Sequence, residues 1–366
     1  MRIGIDAHFV GVRYGGNEEY FGNLIRALRQ HAEDGQRYYV FSYRGAAAPL
    51  VGRAGVEHVP LRRRAVWWQR AVELPWHTRK LALDALHVPF NFLPVSGCRI
   101  IVTIHDVGFL HLAQAYAPLE RLRMRLLTAL AAQRAAHVLT VSEFAKEDIV
   151  RHYGVSPDHV TATHGGPDRT VFRPLPVSQV QTVRERLGLV APYLLFVGMI
   201  QERKNLIVLL QALETLRARG AEAQLVLVGR PGFRAERVFA HVRERGLDGA
   251  VRYLGPVPAG DLAGLYNGAL GFVFPSLFEG LGLPVLEAMA CGCPVVCSST
   301  TALPEVCGDA ALLFDPRDPV TLTAHLERVM QDGELRQNLI DKGFANCERY
   351  SWERTAAVVA GVYRAA

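Results

Sequence analysis

What most constrains this chain is a rhythm that runs twice along it. Short apolar runs ending in small or polar residues occur at Ile3–Ala7, Tyr39–Ser42, Ala85–Pro89, Ile100–His105, Ala136–Ser142 and Val160–His164. Helical stretches lie between several of them. Glu18–Gln30 sets Tyr20, Phe21, Leu24 and Leu28 roughly on one face, and Leu119–Arg134 repeats leucine at helical spacing. Apolar strands alternating with helices predict a parallel sheet covered on both sides. The rhythm restarts at Tyr193–Gly198, with Leu206, Leu210, Leu213 and Leu216 on one face of the helix that follows. Further strands are expected at Gln224–Gly229, Val251–Gly255, Gly271–Ser276, Pro294–Ser299 and Ala311–Phe314. Helices are expected at Ala235–Arg245, Leu262–Asn267, Pro284–Ala290 and Leu322–Met330.

A length of 366 residues leaves room for two or three domains, and the repeated rhythm selects two. They are expected at 1–175 and 191–350, joined by a linker at 176–190 that carries Pro176 and a polar run. The tail 351–366 is helical in pattern with Trp352 and Tyr363 as anchors. Pattern leaves its packing partner open, a return to the first domain being the expected course. Open α/β sheets bind ligands beyond the carboxyl ends of their strands. Two such domains predict a cleft between them, with motifs placed just after strands.

Charge separates the halves. Residues 1–180 hold 22 of the 41 Lys and Arg but 15 of the 35 Asp and Glu, so the whole excess lies there. That asymmetry suggests a charged partner for the first half. Six cysteines form no zinc-like spacing, and Cys291, Cys293 and Cys297 sit among Ala, Gly, Pro and Val, as buried thiols of a reducing compartment would. The sequence starts directly on a strand and contains no run of 18 apolar residues. A cytoplasmic protein is the expectation.

Several strand ends carry chemistry. Gly15-Gly16 precedes the first helix, where backbone N–H groups favour phosphate; the same residues also suit a plain tight turn. His105-Asp106 ends a buried strand, where the histidine could orient a hydroxyl or serve as a packed pair. Gly198 is followed by Arg203 and Lys204 just before a helix, where cations oppose the dipole unless an anion is present. The sharpest stretch is Phe278-Glu279-Gly280-Leu281-Gly282-Leu283-Pro284, with Glu287 further on. Proline suits a helix start. The spacing puts Glu279 in a glycine-rich loop and Glu287 one turn into the helix, able to face one pocket. Carboxylates accept hydrogen bonds from sugar hydroxyls, and loop N–H groups meet phosphate.

Taken together, these motifs resemble the retaining nucleotide-sugar glycosyltransferases of family 4 (GT4), which have the GT-B fold. The mark is a glutamate, seven residues and a second glutamate, here Glu279 and Glu287. The resemblance runs over essentially the whole chain, adding Gly15-Gly16, His105-Asp106, Val141-Ser142-Glu143-Phe144, Gly198 with Arg203-Lys204-Asn205, and Pro275-Ser276. Among such enzymes the strand-end histidine-aspartate looks most like the bacterial mannosyltransferase branch. The chain departs from the family at Thr163-His164-Gly165-Gly166-Pro167-Asp168, where relatives usually show Pro-Asn-Gly-Val-Asp.

The resemblance implies an α/β fold of two Rossmann-like, doubly wound parallel-sheet domains facing a central cleft. It implies transfer of a hexose, mannose from GDP-mannose as the first expectation and a UDP-sugar as the alternative, to a glycan or lipid-linked glycan. A non-catalytic nucleotide-binding protein of this fold is a further alternative. Glu287 would bind ribose, Arg203 and Lys204 the diphosphate, and Glu279 the donor sugar, aided by amides of Gly280, Leu281, Gly282 and Leu283. Gly198 would line the same site. Gly16, with Gly15, would bring backbone to the diphosphate, and His105 would sit by the attacking hydroxyl. Two cations doing the charge work imply no metal requirement and no cofactor beyond the donor.

The acceptor side has its own feature. Leu61–Lys80 holds Arg62, Arg63, Arg64, Arg70, Arg79 and Lys80 against Glu73 alone, interleaved with Trp67, Trp68 and Trp76. This pattern suits an anionic membrane surface on the inner face of the cytoplasmic membrane. It also suits an ordinary solvated arginine face. Nucleic acid is not expected, because no recognisable module accompanies the patch.

Overall fold

The structure is a computed structural model and describes residues 1–11, 16–30, 36–43, 55–62, 68–89, 97–189, 192–222 and 224–365. The chain divides into two compact units. One comprises Met1–His111, Ala117–Gly165 and Ser351–Ala366; the other comprises Leu112–Tyr116 and Gly166–Tyr350.

The first unit is built on β1 (Arg2–Asp6), β2 (Arg37–Tyr43), β3 (Val56–Leu61), β4 (Ala85–Pro89), β5 (Arg99–Thr103), β6 (His137–Thr140) and β7 (Val160–Ala162). Among the described residues these form one parallel sheet in the order β3-β2-β1-β4-β5-β6-β7. The second unit contains β8 (Tyr193–Val197), β9 (Gln224–Val228), β10 (Val251–Gly255), β11 (Gly271–Phe274), β12 (Val295–Ser298) and β13 (Ala311–Phe314). Its sheet is again parallel, ordered β10-β9-β8-β11-β12-β13. Both orders reverse direction beside their first strand, so each unit is doubly wound and Rossmann-like, as the alternating pattern predicted. The reversal opens a crevice at the strand ends, and the motif residues follow those ends.

The central strands are buried end to end, which is why they read as unbroken apolar runs: all of β4, β8, β11 and β12 is buried. β3 was absent from the expected set. Its sequence, Val-Glu-His-Val-Pro-Leu, has no clean alternation, and Pro60 lacks an N–H to donate. Those properties are tolerated because β3 is an edge strand. The segment expected as a linker holds a helix, Val177–Arg186, whose Val183 is buried within the second unit. In the second unit Leu206, Leu210, Leu213 and Leu216 are all buried, as their spacing predicted. The helix Pro118–Arg134 is different: it buries Thr128, Ala131 and Ala132 and leaves leucines outside.

The tail helix Trp352–Ala365 packs on the helix Gly16–Gln30 of the first unit. Thr355 Oγ1 donates to the carbonyls of Thr163 and His164 at 2.7 and 2.8 Å. A Cβ at Gly165 would lie 2.9 Å from the Trp352 ring, so this turn needs a glycine. The unusual His164-Gly165 sequence is thereby tied to the tail. Cys291, Cys293, Cys297, Cys307 and Cys347 are buried free thiols. Among the described residues no helix is long and apolar enough to cross a membrane.

Candidate active site

Three of the motif side chains converge in the second unit. After β8 the backbone passes Gly198, whose N–H donates to the Val228 carbonyl at 2.9 Å. A single 3-10 turn, Glu202–Lys204, then presents Arg203 and Lys204. Asn205 breaks that turn in the left-handed region and starts the helix Leu206–Ala218, with Nδ2 donating to the Pro316 carbonyl at 2.7 Å. Lys204 is buried, its ammonium 2.5 Å from Glu279 Oε1 and 4.5 Å from the centre of the Phe274 ring. Arg203 Nη1 donates to the Phe278 carbonyl at 2.7 Å and lies 3.4 Å from Glu279 Oε2.

Glu279 is therefore a buried carboxylate clasped by two cations from another loop. Burial pushes its carboxyl up, and the charges of Lys204 and Arg203 with the lysine hydrogen bond more than reverse this, leaving it below the ordinary range. Its backbone N–H donates to Thr301 Oγ1 at 3.1 Å, which ties the loop to the strand end after β12. Gly280 and Leu281 continue the loop, both buried. Gly282 has φ 93°, and a Cβ there would come 2.7 Å from Leu303. Only glycine fits, and it caps the helix Leu283–Ala290 with Pro284 in the first turn. Glu287 is buried on that helix and accepts a hydrogen bond from Tyr266 Oη at 3.1 Å. Tyr266 lies on the helix Ala259–Gly268. Nothing in its spacing marked it, because its polar tip acts through a tertiary contact.

In the first unit His105 stands just past β5. Its Nε2 is buried and finds no hydrogen-bond partner among the described residues, while the ring packs edge-on to Tyr20 at 5.0 Å. Burial lowers the imidazole to about 4, against a smaller opposing effect of Asp106. His105 is thus neutral at physiological pH and can orient a hydroxyl but cannot act as a cation. Asp106 has a local task, accepting from the Gly108 N–H at 2.9 Å at the start of a short helix. Gly16 opens the first helix, and a Cβ there would meet nothing within 4 Å. Gly15 lies outside the described residues.

One strand-end pair escaped the sequence reading. Asp6, the last residue of β1, is buried, and its Oδ1 lies 2.8 Å from His8 Nδ1. Burial raises the Asp6 carboxyl, but His8 and the charge of Arg70 outweigh that and hold it below the ordinary range. An ionised carboxylate only accepts, so Nδ1 donates to Asp6. An Asp-x-His at the end of an apolar strand was the available signal.

The described residues also bring together one set of metal-ligand type. Asp148 is buried, with His111 Nε2 at 2.8 Å and His152 Nδ1 at 3.0 Å. His111 Nε2 lies within hydrogen-bond distance of both carboxylate oxygens, and His152 Nδ1 donates to the Asp148 backbone carbonyl at 2.9 Å. Of the 61–80 patch, Arg63, Arg64 and Trp67 lie outside the described residues. Within them, Trp76 is half exposed with the Lys80 ammonium 4.7 Å from its ring.

Two parallel-sheet Rossmann-like units, with cations and a glycine-rich glutamate loop after the strands of the second, define a GT-B type sugar-transferring enzyme. Residues 14–170 match the model described as Glycosyltransferase Family 4, and residues 181–345 match Glycosyl transferases group 1. The chain is 33% identical over 291 residues to O-antigen chain mannosyltransferase B of Escherichia coli, covering 79% of this chain and 76% of that one. It is 36% identical over 251 residues to a D-inositol 3-phosphate glycosyltransferase of Nocardioides sp., covering 63% of this chain and 54% of that one. Among solved structures, sucrose-phosphate synthase from Thermosynechococcus elongatus has the same fold at 20% identity, with TM-score 0.80 and coverage of 100% and 98%. Anabaena Alr3699/HepE in complex with UDP-glucose shares the fold at 16% identity, with TM-score 0.80 and full coverage of both chains. This chain belongs to glycosyltransferase family 4, and it is a catalyst that moves a sugar from a nucleotide-sugar donor to an acceptor.

Proposed function

We propose that the protein is a retaining hexosyltransferase whose second unit holds the nucleotide-sugar and whose first unit holds a glycan or lipid-linked glycan hydroxyl. The Arg203–Lys204–Glu279 cluster carries this reading. It sets two cations and one carboxylate within a few ångströms of a helix start. A diphosphate entering there would take the two cations, which stabilise the charge that builds as it leaves. Glu279, freed from Lys204, would accept from hydroxyls of the donor sugar. Glu287 would accept from ribose, oriented by Tyr266. Gly16 leaves open space for a diphosphate, and the loop N–H groups at 280–283 and Gly198 complete the cradle.

His105, neutral and with an unfilled Nε2, would orient the attacking hydroxyl. His8, held by Asp6, would supply a second contact to the acceptor. In a retaining reaction on one face the departing phosphate takes the acceptor proton, so neither histidine needs to be a strong base. The O-antigen chain mannosyltransferase relative supports mannose as the sugar, with GDP-mannose as the proposed donor. A UDP-hexose is the second reading. The D-inositol 3-phosphate glycosyltransferase relatives are not named for mannose, which supports weighing a hexose other than mannose. The excess positive charge of the first unit supports a membrane-held acceptor on the cytoplasmic side.

A donor panel read by nucleotide release, with calorimetry against GDP and UDP, tests the assignment. Failure of the folded protein to bind either nucleotide overturns it. Glu287→Ala is expected to weaken nucleotide binding by about 10- to 100-fold, the loss of one or two charge-assisted hydrogen bonds. His105→Ala is expected to leave nucleotide affinity unchanged and to lower kcat by about 100-fold. Poor donor binding by the His105 variant with normal turnover at saturation would show that His105 is misplaced.

A further inference from the structure

The helix Pro118–Arg134 turns its leucines away from the first unit. Leu119 is 80% exposed, Leu122 53%, Leu126 63% and Leu130 39%. At about 100° per residue these four lie within about 80° of arc, one row along the whole helix. Single exposed leucines are ordinary, but a contiguous row of four marks a surface that something covers. Arg123 and Arg134 border the row on one side and Arg125 on the other, all exposed. The only acid on the helix is Glu120 in its first turn, where the helix dipole favours it. A leucine row with arginine margins is the pattern of a helix lying in a lipid interface, where arginine stems cover apolar surface and the heads reach phosphates.

A second feature shares that side of the sheet. The crossovers β3 to β4 and β5 to β6 both run toward the β7 edge. Right-handed crossovers in one direction place their helices on one face. The helix Leu74–Lys80, with the half-exposed Trp76 beside Lys80, therefore lies on the same face as Pro118–Arg134. The helix Gly16–Gln30, from the opposite-running β1 to β2 crossover, packs with the tail helix on the other face. Tryptophan beside a cation suits the headgroup level of a bilayer.

We propose that this face of the first unit, the leucine row of Pro118–Arg134 together with Trp76, rests on an anionic phospholipid bilayer. The excess of positive charge in residues 1–180 supplies the complementarity that selects lipid over a neutral protein partner. The inference rests on the membrane-held acceptor above and names the surface responsible.

Flotation with phosphatidylcholine vesicles, with and without phosphatidylglycerol, tests it. The protein is expected to float with the anionic vesicles and to be released by salt. Leu122→Glu/Leu126→Glu is expected to lower the bound fraction by about 10-fold or more. Arg123→Glu/Arg125→Glu is expected to do the same on anionic vesicles and little on neutral ones. All four positions are exposed, so donor hydrolysis in vesicle-free solution should remain at the wild-type rate and report a folded enzyme. No flotation of the wild type, or equal flotation by the leucine variant, overturns the proposal. Self-association that Leu122→Glu abolishes, without flotation, would assign the row to a second copy and overturn it too. Flotation of a protein that releases nucleotide from no donor would uphold this surface and count against the donor chemistry instead.

Discussion

Lys204→Met is expected to lower kcat/KM by about 100- to 1,000-fold, the usual result of removing one preorganised donor to a developing anion. It is also expected to destabilise the second unit by about 3 kcal/mol, because a buried charge loses its closest partner. Glu279 would keep the Arg203 guanidinium, at 3.4 Å. The two effects separate in a double variant. In Lys204→Met/Glu279→Gln the orphan charge is gone, so stability should return to within about 1 kcal/mol of wild type, while activity stays lost. Denaturant midpoints and nucleotide-release rates on the same samples read both. Full activity in Lys204→Met would show that the ammonium is structural and that the diphosphate lies elsewhere.

Acid is expected to unfold the first unit earlier than its carboxylates alone would allow. His87 is wholly buried, with Nδ1 2.8 Å from Tyr363 Oη and Nε2 2.6 Å from Thr103 Oγ1. Burial, helped by His105, lowers it to about 3. Burial lowers His105 to about 4. Both titrate near 6.5 when unfolded, so between that pH and their folded values the unfolded chain binds more protons. Stability is therefore full above about pH 6.5 and falls as pH drops through the window. Each imidazole accounts for roughly 2 kcal/mol at pH 5, a large share of a typical domain's stability. Asp6 acts later, because its lowered carboxyl holds stability that is lost as pH falls through and below the ordinary carboxylate range. Denaturant midpoints at pH 7, 6 and 5 should slope downward, and His87→Gln should flatten the slope. A constant midpoint would mean that these imidazoles are solvated in the folded protein.

The leucines show how far a repeat can be read. Leu206, Leu210, Leu213 and Leu216 have helical spacing and are buried; Leu119, Leu122, Leu126 and Leu130 have it too and are exposed. Periodicity states that residues share a face and is silent on what that face meets. The arginines at 121, 123 and 125 were the clue that the second row differs. Tyr266 and the Asp6–His8 pair were missed for a related reason: their roles rest on contacts that spacing alone does not encode.

By itself the sequence determined the doubly wound class and the strand ends after which the charged and glycine-rich motifs fall. A parallel strand buried on both faces must be apolar throughout, and its ligands must follow its carboxyl end. It also determined where glycine and proline punctuate the glutamate loop. Tertiary structure decided the rest. It added the edge strand β3, whose proline and polar residues hide it in one dimension. It paired Glu279 with Lys204 across 75 positions of chain, a contact set by the order in which β8 and β11 enter the sheet. It also set the protonation of His105, because burial depends on which neighbours surround the ring. Sequence names the groups able to do chemistry; packing decides which of them are charged, which are paired and which face outward.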